Sequence, residues 1–169
     1  MTAINYANLT TYPNDVVFSI VNTRASIADP RDSDGNRKFV YNAEPFHKAM
    51  DFSNFPYIIV KMPRLTQVQS SADNKYKWLS YIQTIIVRTA KEGSGGGRTD
   101  AGHSDMQTIT DSVFKTFNDT TIKGTLKTNN LFHSELELVN QDDTPLQSQQ
   151  AVYETEYTLT YNTRLKVVA

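Results

Sequence analysis

Cysteine is absent from the 169-residue chain. Neither disulfides nor thiolate-bound metals can hold this fold, and no cysteine nucleophile is available to it. Long apolar runs are missing as well. Nowhere do about 18 apolar residues follow one another, so the sequence predicts no membrane-spanning helix. There is no basic excess either. Seventeen Lys and Arg against 18 Asp and Glu give a formal net charge of −1, whereas a general nucleic-acid binder needs surplus cations to neutralise phosphates. The opening stretch MTAINYANLTTYPND has neither the basic start nor the apolar segment of a signal peptide. The expectation is a chain that folds in a reducing cytoplasm, or in a particle assembled there.

What is present is one long alternation. From Tyr153 the odd positions read Tyr153, Thr155, Tyr157, Leu159, Tyr161, Thr163, Leu165 and Val167. The even positions read Glu154, Glu156, Thr158, Thr160, Asn162, Arg164 and Lys166. A period of two with an apolar and a charged side predicts a half-buried antiparallel strand with a wet face. The length of the chain suits a single domain over 1–169 with a core of its own.

Upstream, Pro13, Val17, Ile20 and Val21 predict a helix over about 13–27, ended by Asp29-Pro30. DPRDSDGNRK is a polar loop, and Phe39 to Tyr41 a short strand. YIIVKM, over 57–62, is a strand between Pro56 and Pro63 whose lack of alternation predicts burial on both faces. Trp78 to Thr89 is a longer strand with apolar residues on both sides. GSGGGRTDAG, over 93–102, is half glycine and reads as a flexible loop. Ser104 with Gln107 three residues on forms a capping-box pattern, and Met106, Ile109, Val113, Phe114 and Phe117 make a helical stripe. Thr120 to Thr128 reads as β-prone but broken by Gly124. Phe132, Leu136 and Leu138 alternate with His133, Glu135 and Glu137 in a further strand, and a polar loop leads to the last one. The order predicts an α+β fold, a mostly antiparallel sheet with two principal helices packed on it.

Chemistry is sparse. GSGGGR lies between a strand and a helix, but Arg98-Thr99-Asp100 stand where a phosphate loop needs Gly-Lys-Ser/Thr. Asp32, Asp34 and Gly35 fail the calcium-loop pattern, because Tyr41 occupies the position of the bidentate glutamate. His47, His103 and His133 are far apart and none has metal-ligand spacing. No GxSxG elbow exists. Glu135 with Glu137, and Glu154 with Glu156, share strand faces, which is the pattern of a hydrated surface and not of an acid/base pair in contrasting environments. Tyr153, Tyr157 and Tyr161 sit on the apolar side and read as packing. No catalytic set, cofactor or metal site is expected.

The strings FPYIIVKMP, KWLSYIQTIIVRT, SDMQTITDSVFKTFND and AVYETEYTLTYNTRLKV, in that order after an amphipathic helix, give the chain its outline. Over roughly 13–169 that outline resembles the tail terminator (tail completion) proteins of tailed bacteriophages, the lambda-type terminator family. The resemblance implies a structural virion protein with no enzymatic activity. Family members form a hexameric ring at the head-proximal end of the tail, cap the tail tube, stop its growth and meet the head connector. The implied partners are further copies of the chain, the tube protein, the connector, and DNA passing through the lumen. Lys91, Arg98 and His103, on and beside the glycine-rich loop, would reach a neighbouring subunit, a tube subunit or DNA. Glu135, Glu137, Glu154 and Glu156 would line the lumen or an axial face. A head–tail adaptor, neck or tube subunit, of a phage or a contractile injection machine, is the nearest alternative. A tube subunit would show a long protruding hairpin and more strands. A small ligand-binding α+β domain is the alternative from another class, and would need a pocket with convergent polar groups.

Overall fold

The computed structural model describes residues 5–23, 27–30, 38–43, 55–72, 75–90, 101–142 and 152–166. The elements are α1 (Thr11–Thr23), β1 (Val40–Tyr41), β2 (Tyr57–Val60), β3 (Arg64–Ser70), β4 (Tyr76–Ala90), α2 (Ala101–Asn118), α3 (Thr120–Thr128), β5 (Leu131–Asp142) and β6 (Val152–Lys166). This is the expected α+β class, with a six-stranded, mostly antiparallel sheet.

The last strand in sequence takes the middle of the sheet. All fifteen residues of β6 pair antiparallel with β4, from Tyr76↔Lys166 to Ala90↔Val152, and β5 pairs along its other side. β6 alternates as the sequence predicts. Its odd residues, Tyr153 to Leu165, are buried, and its even residues from Glu154 onward are half-buried or exposed. The second side of β4 is shared by two strands. β2 pairs from Tyr57↔Arg88 to Val60↔Ile85, with all four residues buried, and β1 runs parallel to it. Past Pro63 the chain continues along the same side as β3, from Arg64↔Ile82 to Ser70↔Lys77.

All three helices contribute to one apolar cluster on one face of the sheet. Val17, Ile20 and Val21 of α1, Met106, Ile109, Val113 and Phe117 of α2, and Ile122 and Leu126 of α3 meet Ile58, Leu79, Ile85, Tyr157 and Leu159. Pro13 sits in the first turn of α1, where the N–H it lacks would have had no partner within the helix. Polar groups fix α1 to the sheet. The Gln83 amide, fully buried, donates to Asn14 Oδ1 (2.9 Å) and to the Lys61 carbonyl (2.9 Å), and accepts from the Tyr161 hydroxyl (3.0 Å).

Several expectations change. α1 runs over Thr11–Thr23 and not over about 13–27, and Phe114, counted in the apolar stripe of α2, is exposed. The helix α2 begins at Ala101, not at Ser104, so the capping box does not form. Ser104 lies inside the helix, its carbonyl accepting from Thr108 Oγ1 (2.9 Å), while the buried Thr89 hydroxyl donates to the Gly102 carbonyl (2.7 Å). A tertiary contact thus engages the first turn where local pattern favours a later start. The segment 120–128 is a helix, not a β-prone stretch. Asp119 Oδ1 accepts from the Thr121 and Ile122 amides (2.6 and 3.4 Å), and Ile122 and Leu126, four apart, are buried on one side. The threonines face outward, and the Thr125 and Thr128 hydroxyls bond back to carbonyls four residues earlier. β3 is a full strand where the sequence reading ends at Pro63; the sequence gives it no apolar period because all seven residues are exposed.

Candidate functional site

The face of the sheet opposite the helices carries the polar residues of β4, β5 and β6. Cross-strand partners share a face, so the register places Glu135 (opposite Thr160), Glu137 (opposite Thr158), Glu154 and Glu156 together on this open side. None of the four is directly opposite another. Glu156 lies between Ile86 and Asn140, and Glu154 between Arg88 and Asp142. Glu135 and Glu137 are exposed, whereas Glu154 is held. Arg88 Nε donates to Glu154 Oε2 at 2.6 Å, with both side chains 22% exposed. Burial works against the charge on Arg88, but hydrogen bonds with Tyr57 and Glu154 and the carboxylate's charge outweigh it and raise the guanidinium above its ordinary value. Glu154 therefore neutralises a half-buried cation of its own chain instead of waiting for one across an interface.

The remaining proposed contacts divide. Lys91 and Arg98 lie outside the described residues, as does most of the 93–102 loop. His103 stands in the first turn of α2, and its side chain lies outside the described set too.

The two ends of the open face differ. Near the start of β4, Trp78 and Phe132 meet edge to face with centroids 5.7 Å apart, and the Arg164 guanidinium lies 4.7 Å over the Tyr76 ring. Lys166 is opposite Tyr76. Near the other end, Phe55, Tyr57, Ile59, Ile86 and Val152 form a second apolar cluster, with Tyr41 packed against it. The middle is mostly small and polar, with Ser80, Thr84, Thr158, Thr160 and Asn162 around the half-buried Ile82. An aromatic and basic end was not foreseen from the sequence. The parity of Tyr76, Trp78 and Arg164 on their strands could have shown it.

Both lateral edges are exposed. Among the described residues no strand pairs on the outer side of β3 or of β5. Each is interrupted by bulges. Thr66 is the extra residue in β3, its hydroxyl bonding the Ser80 carbonyl (3.0 Å). In β5, His133 and Ser134 together face Tyr161, with His133 in the left-handed region (φ 53°), and Val139 is a second insertion. Along these edges Leu65, Val68, Leu138 and Val139 are exposed apolar side chains.

Elsewhere, a groove of about 570 Å³ runs between α1 and α3, lined by Asn8, Tyr12, Asp15, Ser19, Thr125 and Asn129 among others. Its one carboxylate, Asp15, is exposed, and burial raises the Tyr12 phenol. No group of three His, Asp or Glu side chains converges among the described residues, and no described helix is long and apolar enough to cross a membrane. No protein-family model matches the chain, and no curated protein matches it.

Proposed function

We propose that this protein is a ring-forming virion subunit. It caps a phage tail tube, ends tube polymerisation and presents a surface to the head connector. The observation that supports this reading best is the sheet itself, which among the described residues has helices on one face, an open, largely polar face and two unpaired lateral edges. Such a subunit is built for repeated contact with copies of itself. A head-to-tail interface that closes gives a ring, and one that does not close gives a filament. The open face, with hydroxyls at its middle and carboxylates at Glu135, Glu137 and Glu156, suits a lumen past which DNA slides without adhering.

One feature favours the tube-subunit alternative. The β3–β4 hairpin exposes all seven residues of β3, as a tube subunit's projecting hairpin would. Here, however, β4 is backed by β6 along its whole length.

A single experiment separates the readings. Mass measurement at several concentrations, with electron microscopy, gives discrete rings for a cap and growing tubes for a tube subunit. Particles assembled without the protein carry tails of uncontrolled length if it is the terminator. A strictly monomeric protein, alone and with its tube partner, rejects both readings.

A further inference from the structure

We infer that β3 of one copy pairs antiparallel with β5 of the next, so that the sheet runs on from subunit to subunit. This rests on the ring reading above and names the contact that would build it.

Direction comes first. β3, β4, β6 and β5 alternate antiparallel across the sheet, so β3 and β5 of one chain run in opposite senses. A neighbour placed alongside with its helices on the same side therefore brings its β3 antiparallel to this β5. The alternation continues unbroken.

The faces match too. Leu65 and Val68 are opposite Tyr81 and Leu79, which places them on the helix side, and Leu138, opposite Tyr157, is on the same side. Val68 is 51% exposed and Leu138 49%. Setting Val68 opposite Leu138 covers both, and it brings Gln69 opposite Glu137 on the open face. In this register Val68, Gln69 and Ser70 lie opposite Leu138, Glu137 and Leu136, three residues regular on both strands, while Gln67 meets the inserted Val139. Bulges on edge strands discourage indiscriminate pairing, which keeps the contact to this short stretch.

Charge selects the partner. The stretch 61–72 holds Lys61 and Arg64 and no acid, whereas 131–142 holds Glu135, Glu137 and Asp142 and no Lys or Arg. Pairing β5 with β5 would set carboxylates against carboxylates, and like charges across a strand pair destabilise it. Opposite edges attract, so the contact is head-to-tail and not two-fold.

The cysteine-free chain makes the test direct. In the double variant Val68→Cys/Leu138→Cys the two new thiols are the only ones. Within one copy they lie three strand spacings apart across the sheet, at least about 14 Å, and are also displaced along it, one level with Thr163 and the other with Tyr157; this is beyond the reach of a disulfide, which needs Cα atoms within about 7 Å. Oxidation at a concentration where mass measurement shows oligomers is expected to give a ladder of covalent multimers on non-reducing gels. Val68→Cys/Gln107→Cys, with its second thiol on the exposed side of α2, should give no ladder. Both sites of the test pair are exposed, so the fold tolerates the change. As a second variant, Val68→Glu should raise the concentration needed for half-assembly at least about tenfold with an unchanged circular dichroism spectrum. Oligomers of normal mass that yield no ladder, and that Val68→Glu leaves intact, overturn this contact while the ring reading stands. A ladder from open filaments supports the contact and removes the ring. A monomer at every concentration overturns both.

Discussion

Gln83 uses both ends of its amide inside the protein, and three partners depend on it. Replacing it with alanine leaves Asn14, the Lys61 carbonyl and the Tyr161 hydroxyl short of a partner in a buried region. An unsatisfied buried polar group costs about 1–3 kcal/mol, so Gln83→Ala should lose at least that much in urea unfolding, with α1 loosening first in hydrogen exchange. The tyrosines give a pH dependence. Burial raises the phenols of Tyr81 and Tyr161 and pushes Tyr157 up to about 12; the three hydroxyls donate to the Leu9 carbonyl, Gln83 Oε1 and the Thr110 carbonyl respectively. Unfolded, each phenol loses its proton near pH 10. Between about pH 10 and pH 12 the folded state binds more protons than the unfolded one, so stability falls as pH rises. It is complete below about pH 10. Urea midpoints measured on either side of that value should show the decline, and Tyr157→Phe should make it shallower.

The short helix α3 shows how an element can hide in a sequence. Four of its nine residues are threonine and one is glycine, a composition that reads against a helix. Its cap and its two buried apolar residues override that preference. Asp119→Ala should therefore cost about 1 kcal/mol. Gly124→Ala should gain about 0.5–1 kcal/mol, because a Cβ there meets nothing within 4 Å. Thermal melts of the two variants, shifting in opposite directions, would check both. β3 escaped for a different reason: with every residue exposed there is no buried face to impose a period. β6 and the stripe of α2, apart from the exposed Phe114, were legible because each has one face in the core. The candidate surface was legible only in part. Parity put Glu135 with Glu137 and Glu154 with Glu156 on the wet sides of their strands, but the pairing that joins all four on one face, and the β4–β6 register behind the Arg88–Glu154 pair, are encoded in no local pattern. Substitutions follow that division. Glu135→Lys and Glu137→Lys should leave stability within about 0.5 kcal/mol. Glu154→Lys, which sets a second cation beside Arg88, should cost about 1–3 kcal/mol in urea unfolding.

At the scale of the whole molecule, the place of β6 has a consequence in time. It follows every other described element in the chain, yet it joins β4 to β5 at the centre of the sheet. Before it docks, β4 presents fifteen residues of bare backbone on one side, and β5 has no neighbour on either. The contacts that complete the sheet are distant in sequence, as between Tyr76 and Lys166, and such topologies close slowly, on the order of milliseconds to seconds. During that interval the most adhesive edge of the molecule is one that the finished subunit never shows. A chain halted before β6 holds a part-sheet of β1 to β4 and a lone β5, both awaiting the same missing neighbour, and a second such chain can supply no β6 either. Truncated or stalled copies should therefore aggregate through β4 instead of entering assembly, and only chains that have completed their own centre can offer their outer edges to another copy.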